Sequence, residues 1–117
     1  MTRLFLIAVA AVLATMSPAK AAGYAPLDCG KAASQSEKTI CSNYELGQLE
    51  ARAATLFEIT TSLVAMGQRG AIQDGQRAFI GKREACGSDV ACIRNVYGTR
   101  IKQLEAVTSG IASRGPF

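Results

Sequence analysis

The sequence contains no histidine and no tryptophan, and aromatic residues make up only 6% of it. Without histidine, a Ser-His-Asp or Cys-His nucleophilic site cannot be built, and zinc sites with histidine ligands are excluded. The C-x-x-C spacing of thiol redox enzymes is absent, and no glycine-rich phosphate loop lies in a strand–helix unit. We therefore predict that the protein is not an enzyme and holds no metal or cofactor.

Only one long hydrophobic run is present, and it lies at the N-terminus. Residues 4–16 carry no charge, follow Arg3, and precede the A-x-A cleavage pattern of residues 19–21. Thirteen helical residues extend about 20 Å, less than the ~30 Å hydrocarbon core of a bilayer. We predict that residues 1–21 are a cleaved signal peptide and that the mature chain is periplasmic or secreted, with no transmembrane segment. Because Cys29 follows Pro-Leu-Asp, we expect no lipid anchor.

Charge is scarce and unevenly distributed. Without Arg3 and Lys20, eleven basic and nine acidic residues remain, a net charge of +2. Residues 22–68 carry three basic and five acidic groups, whereas residues 69–117 carry eight basic and four acidic groups. A net charge this small is atypical of a nucleic-acid-binding protein, so we predict no nucleic-acid partner.

Four cysteines are present, Cys29, Cys41, Cys86 and Cys92. Their spacings are unlike the closely spaced cysteine pairs of zinc sites, and an even number in an exported chain favours two disulfides. Pairing Cys29 with Cys41 and Cys86 with Cys92 closes two short loops, each contributing about 2–3 kcal/mol. Crossed pairing stays open, because the predicted helix lengths bring the two cysteine regions near one another.

Hydrophobic periodicity predicts helices throughout the mature chain. Apolar residues recur at steps of three and four, and no strand-like alternation is present. Two capping boxes are predicted, one at residues 34–37, which begins a short helical turn at residues 37–40, and one at residues 42–45. The predicted long helices run from Tyr44 to a glycine turn at residues 67–70, from Ala71 to Cys86, and from the N-cap Ser88 to residues 108–110.

The expected fold is therefore all-α: a small three-helix up-down-up bundle stapled by two disulfides. We assign residues 22–108 to this domain and residues 109–117 to a flexible tail.

Residues distributed over most of the mature chain form a recognisable pattern. They are Asp28-Cys29, Cys41, Leu46, Leu49-Glu50, Gln76-Arg77-Ala78-Phe79-Ile80, Arg83-Glu84-Ala85-Cys86, Cys92-Ile93, Tyr97, Arg100-Ile101 and Leu104. Over about residues 27–105 this pattern resembles the LprI-type lysozyme inhibitor domain, a family of small exported bacterial helical proteins. The motif residues are Gln76, Phe79, Arg83, Tyr97 and Arg100. The chain departs from the family at Phe79, Glu50 and Phe57, where Trp, Asp and Tyr are usual.

The resemblance implies binding to c-type lysozyme and occlusion of its active-site cleft. That cleft presents two carboxylates, so cations near the second cysteine pair are the candidate partner contacts: Lys82, Arg83 and Arg94. Because such lysozymes are basic, we expect the acidic N-terminal half to orient the complex. The alternative function is a periplasmic helical interaction module that binds another envelope protein or a cell-wall component.

Several motif residues also have a purely structural interpretation. Phe79 and Tyr97 lie on apolar helix stripes and are expected to pack in the core. Gln76 and Arg83 share the stripe of Phe79, and polar groups on a buried face need partners. A buried network of Gln76 and Arg83 with Tyr97 or Glu50 would satisfy them.

Overall fold

The computed structural model describes residues 27–115, so the predicted signal peptide, residues 1–21, lies outside the described part. The described residues are helical, with no strand among them. A 3₁₀ turn at Cys29–Lys31 precedes four α-helices: α1 (Gln35–Ser42), α2 (Tyr44–Leu63), α3 (Met66–Ala85) and α4 (Val90–Ala112). The all-α class is confirmed, but the number of helices differs from the prediction, because three were expected. None of these four helices is long and apolar enough to cross a membrane.

Helix α1 accounts for the difference in number. The predicted capping box is present: Ser34 Oγ accepts from the Glu37 amide at 3.1 Å, and Glu37 Oε2 accepts from the Ser34 amide at 3.3 Å. This cap satisfies amide groups that the first helical turn leaves unpaired. Ile40, only 2% exposed, packs into the core. A good cap and one buried apolar residue thus extend the expected turn into an eight-residue helix.

The predicted boundary between the first two long helices is wrong. Helix α2 ends at Leu63, and Gly67 and Gly70 lie inside α3. The reversal falls instead at Val64, which is extended and 7% exposed, and at Ala65. Burial of Val64 anchors this connection, and Arg69 Nη2 donates to the Val64 carbonyl at 3.3 Å. Packing therefore decides the turn, rather than the conformational freedom of glycine.

Two predicted N-caps and one predicted helix end are also wrong. The cap of α2 is Asn43 rather than Ser42, and the cap of α4 is Asp89 rather than Ser88. Asx side chains cap at least as well as serine, and each accepts from the amide three residues on. Helix α4 continues through residues 108–110 to Ala112. The predicted tail, residues 109–117, therefore begins inside a helix.

The core consists of two apolar clusters along the helices. Helix α4 packs mainly against α2, and α3 packs against both. Phe79 and Tyr97 lie in the first cluster with their rings edge to face, 5.0 Å apart between centroids. Both side chains are nearly inaccessible, as the structural interpretation expects. The first cluster also contains Ile40, Leu46, Ala53, Ile93 and Ile101, and the second contains Phe57, Val64, Ile72, Leu104 and Ile111.

The four cysteines form two local disulfides. Cys29 is bonded to Cys41 and Cys86 to Cys92, with Cα atoms 5.6 Å apart in each pair. The first bond joins the 3₁₀ turn to α1, and the second closes the connection between α3 and α4. This is the pairing that the spacing favours, and the crossed alternative does not occur.

Candidate functional site

Arg83 is the centre of a buried ionic cluster. Arg83 is 7% exposed, and its guanidinium lies close to carboxylates from three helices. Nη2 lies 3.8 Å from Glu37 Oε1 on α1 and 3.0 Å from Glu84 Oε1, while Nη1 lies 3.7 Å from Glu50 Oε2 on α2. A buried arginine needs such partners, because removing its charge from water costs several kcal/mol. Arg83 therefore acts as an internal connection between α1, α2 and α3.

Tyr97 brings α4 into the same cluster. Its hydroxyl donates to Glu50 Oε2 and accepts from Arg83 Nη1 at 3.5 Å. Glu50 also accepts from the Leu27 amide at 3.0 Å, which fixes the start of the described chain against α2. Burial, followed by the charge of Glu50 and the hydrogen bond to it, raises the pKa of Tyr97. The phenol therefore remains a neutral donor.

Two further members of the cluster, Glu84 and Arg83, are held in their charged forms. Burial alone would raise the pKa of Glu84, but hydrogen bonds with Ser34, Ser36 and Arg83 lower it overall. Burial alone would lower the pKa of Arg83, but Tyr97, Glu84 and Glu50 raise it overall. The predicted buried network is thus present in part: Arg83 contacts both Tyr97 and Glu50, but Gln76, which was expected in it, is not a member.

Gln76 belongs to a different cluster, around Arg100. Gln76 Oε1 accepts from Arg100 Nε at 3.0 Å, and the Ile72 carbonyl accepts from Arg100 Nη2 at 2.9 Å. Both acceptors are neutral and both lie on α3, so Arg100 ties α4 to α3. Arg100 is 5% exposed, and burial lowers the pKa of its guanidinium. The polar motif residues therefore divide into two separate clusters, Arg83 with Tyr97 and Gln76 with Arg100.

A cleft separates α3 from α4 beside Arg100. Its volume is about 270 Å³. Its α3 side is formed by Gly75, Ala78, Phe79 and Lys82. The sequence pattern predicts neither this cleft nor a role for Gly75. The lining residues are Gly75, Ala78, Phe79, Lys82, Asn95, Val96, Thr99, Arg100 and Gln103.

The three candidate partner contacts differ in accessibility. Arg83 is buried among carboxylates, so it is not a surface contact. Arg94 is exposed but forms a two-bond ion pair with Glu45, at 2.8 Å for each bond. Its hydrogen bond lowers the pKa of the Glu45 carboxyl. Lys82 is exposed, lines the cleft, and forms no ion pair with any residue of the described chain.

The acidic N-terminal half has fewer free carboxylates than its composition suggests. Glu37 and Glu50 contact Arg83, and Glu45 pairs with Arg94. Asp28 lies 3.9 Å from Lys31. Among the acidic residues of the described segment 27–68, only Glu58 has no ion-pairing partner in the described structure, and it is exposed. Internal pairing therefore reduces the surface that could orient a basic partner.

Three large apolar side chains are exposed near the connection of α2 to α3. Ile59, Leu63 and Met66 are 40%, 61% and 79% exposed, and we call them the apolar tip. Ile59 and Leu63 lie near the end of α2 and Met66 begins α3, and none of the three belongs to either apolar cluster.

Comparison with family models, curated proteins and solved structures finds no match to this chain. The resemblance to LprI-type domains thus stays a prediction carried by the motif residues. Within residues 27–115, no group of three or more histidine, cysteine or acidic side chains is arranged to hold a metal ion.

Proposed function

We propose that the chain is an exported LprI-type protein that binds c-type lysozyme and occludes its active-site cleft. The pattern of motif residues supports this proposal, and one observation gives it a contact point. Lys82 is an exposed, unpaired cation one helical turn before the disulfide-closed connection of α3 and α4.

The chemistry of the contact follows from the two carboxylates of a lysozyme cleft. A lysine ammonium has three N–H donors and no acceptor, so it can bridge two carboxylates. The Cys86–Cys92 bond and the Asp89 cap hold the neighbouring connection in place. A segment ordered before binding loses little conformational entropy on binding, which favours affinity. Lys82 therefore replaces the original group of three candidates as the proposed contact.

Long-range electrostatics contribute little to this complex. A partner of net charge +2 does not attract a basic lysozyme at a distance, and Glu58 is the one unpaired carboxylate of the described N-terminal half. We therefore expect close packing, rather than charge steering, to supply the affinity.

The proposal is tested by titrating lysis of a cell-wall suspension by c-type lysozyme with the oxidised chain from Ala22 onward. Inhibition is expected to saturate near a one-to-one ratio and to be lost after reduction and alkylation. Lys82→Ala should weaken inhibition at least tenfold. Lys102→Ala, which removes an exposed lysine from α4, should leave it unchanged. Absence of inhibition at micromolar excess contradicts the proposal.

The apolar tip favours the second candidate function, binding to another envelope protein without lysozyme inhibition. Exposed large apolar groups that are close together are typical of protein contacts. If this second function is correct, the immobilised mature chain should capture a specific periplasmic protein. The double substitution Leu63→Ser and Met66→Ser should abolish that capture. Capture that survives both changes contradicts a role for the apolar tip. Lys102→Ala again serves as the control.

A further inference from the structure

The charge of Arg100 is buried without a compensating acid. The residue is 5% exposed, and its three hydrogen-bond acceptors are all neutral: Gln76 Oε1, Gln103 Oε1 and the Ile72 carbonyl. In contrast, the equally buried Arg83 is surrounded by three carboxylates. A buried cation without an anion is costly. The Arg100 site therefore has an excess positive charge that a bound anion would neutralise.

The Arg100 guanidinium also has unused hydrogen-bond donors. It carries five N–H groups, and three are used in hydrogen bonds within residues 27–115, the one to Gln103 being long at 3.4 Å. Two N–H groups therefore have no acceptor among the described residues. A planar guanidinium with two available N–H groups matches a carboxylate, which can accept two parallel hydrogen bonds.

The surroundings of Arg100 provide room for a ligand. A Cβ atom added at Gly75 would lie 2.8 Å from Arg100 Nη1, so glycine lets the guanidinium pack directly against α3, where it lines two clefts. The cleft of about 270 Å³ lies on one side, and a second cleft of about 380 Å³ adjoins it. Gly75, Arg100 and Gln103 line both clefts. These volumes are close to the lower end of the ~300–1,000 Å³ typical of ligand sites.

The walls on both sides of Arg100 are largely apolar. Phe79 and Val96 line the first cleft, and Ile72, Leu104 and Val107 line the second. Lys82 adds a second cation to the lining of the first cleft. A single buried positive charge between apolar walls suits a ligand with one negative charge and an apolar chain, rather than a multiply charged, strongly hydrated anion.

We propose that the groove between α3 and α4 binds a small organic carboxylate with a short apolar chain. The carboxylate pairs with Arg100, and the chain packs against Phe79 and Val96. Lys82 lines the first cleft and is also the proposed lysozyme contact, so the two proposals share this residue. Titration with a free small molecule tests the Arg100 site without lysozyme.

The test is an NMR titration of the oxidised, ¹⁵N-labelled chain from Ala22 onward with sodium hexanoate. Saturable shifts are expected at residues 75–82 and 95–103 and at the Nη–H signals of Arg100. Hexan-1-ol, which has the chain without the charge, should bind at least tenfold more weakly. Inorganic phosphate, which has the charge without the chain, should also bind at least tenfold more weakly. Absence of saturable shifts with hexanoate, or equal binding of either comparison compound, overturns the proposal.

Variants identify the groups that bind. Arg100→Gln removes the buried charge and should weaken hexanoate binding more than tenfold, and Lys82→Gln should weaken it by a few-fold. Lys102→Gln, outside both clefts, should leave it unchanged. If Arg100→Gln does not fold, the Arg100 Nη–H signals of the unmodified chain, recorded at low temperature, decide the question. Unshifted Nη–H signals at hexanoate saturation overturn the assignment of the carboxylate to Arg100.

Discussion

At the scale of single residues, the two buried arginines differ in what neutralises them. Arg83 is held by carboxylates from α1, α2 and its own helix, whereas Arg100 is held by neutral acceptors on α3. The Arg83 cluster holds three helices together, because the carboxylates contact the same cation. The Arg100 guanidinium has no anionic partner among the described residues, and it lines the groove between α3 and α4. The two buried arginines therefore differ in their structural roles.

Replacing Arg83 should destabilise the fold strongly. Arg83→Met keeps much of the side-chain volume but leaves three carboxylates facing one another, so we expect a loss of about 3–5 kcal/mol of unfolding free energy. Urea denaturation of the variant and of the unmodified chain measures this loss. Arg77→Met, which removes an exposed ion pair with Asp74, should cost less than about 1 kcal/mol. Equal losses in the two variants would contradict the role assigned to the Arg83 cluster.

Tyr97 should resist ionisation in the folded protein. Its folded-state pKa is raised above the ordinary value of 10.0, so the stability it contributes is present below that pH and is lost as pH rises through the folded-state pKa. The phenolate absorbance of the unmodified chain minus that of Tyr97→Phe isolates this residue. We expect its ionisation well above pH 10.0, accompanied by loss of helical circular dichroism. Ionisation near 10.0 with the helices intact would contradict the buried contact with Glu50.

At the scale of helices, α3 contains glycines with opposite surroundings. Gly81 has no heavy atom within 4 Å of an added Cβ, whereas an added Cβ at Gly75 meets Arg100 Nη1. Helix propensity alone favours alanine over glycine by about 1 kcal/mol at either position.

We therefore expect Gly81→Ala to stabilise the protein by about 1 kcal/mol and Gly75→Ala to give no gain. At position 75 the guanidinium must move away from Gln76 and the Ile72 carbonyl, which offsets the propensity. Thermal unfolding monitored by circular dichroism measures both. In an Arg100→Gln background, Gly75→Ala should recover its gain, since the clash is absent. A similar gain in stability from both substitutions in the unmodified chain would show that the Arg100 guanidinium can move aside without loss of stability.

Helix boundaries also mark the limit of what the sequence predicts. The apolar periodicity identifies the three long helices and the buried positions of Phe79 and Tyr97, because period and burial are linked. It misplaces the end of α2, because Gly67 and Gly70 are tolerated at exposed or half-exposed positions while a buried Val64 fixes the turn. The groove at Gly75 is also missed, because an open space depends on which faces of α3 and α4 meet.

At the scale of the whole molecule, the helices depend on contacts that are distant in sequence. Two apolar clusters join α2, α3 and α4, and the Arg83 cluster attaches α1 to them. Helix α1 has only eight residues and is too short to be stable alone. Its position therefore depends on Ile40, on Glu37 and on the Cys29–Cys41 bond.

The two disulfides should contribute unequally to unfolding. Cys29–Cys41 joins residues 12 apart and Cys86–Cys92 residues 6 apart. The chain-entropy relation assigns them about 3 and about 2 kcal/mol, a large part of the ~5–15 kcal/mol total stability of a domain. Paired cysteine-to-serine variants, compared by urea denaturation, should follow that order, and only loss of Cys29–Cys41 should expose α1 amides to rapid hydrogen exchange. A larger loss from the Cys86–Cys92 variant would mean that contacts at the α3–α4 connection outweigh loop entropy.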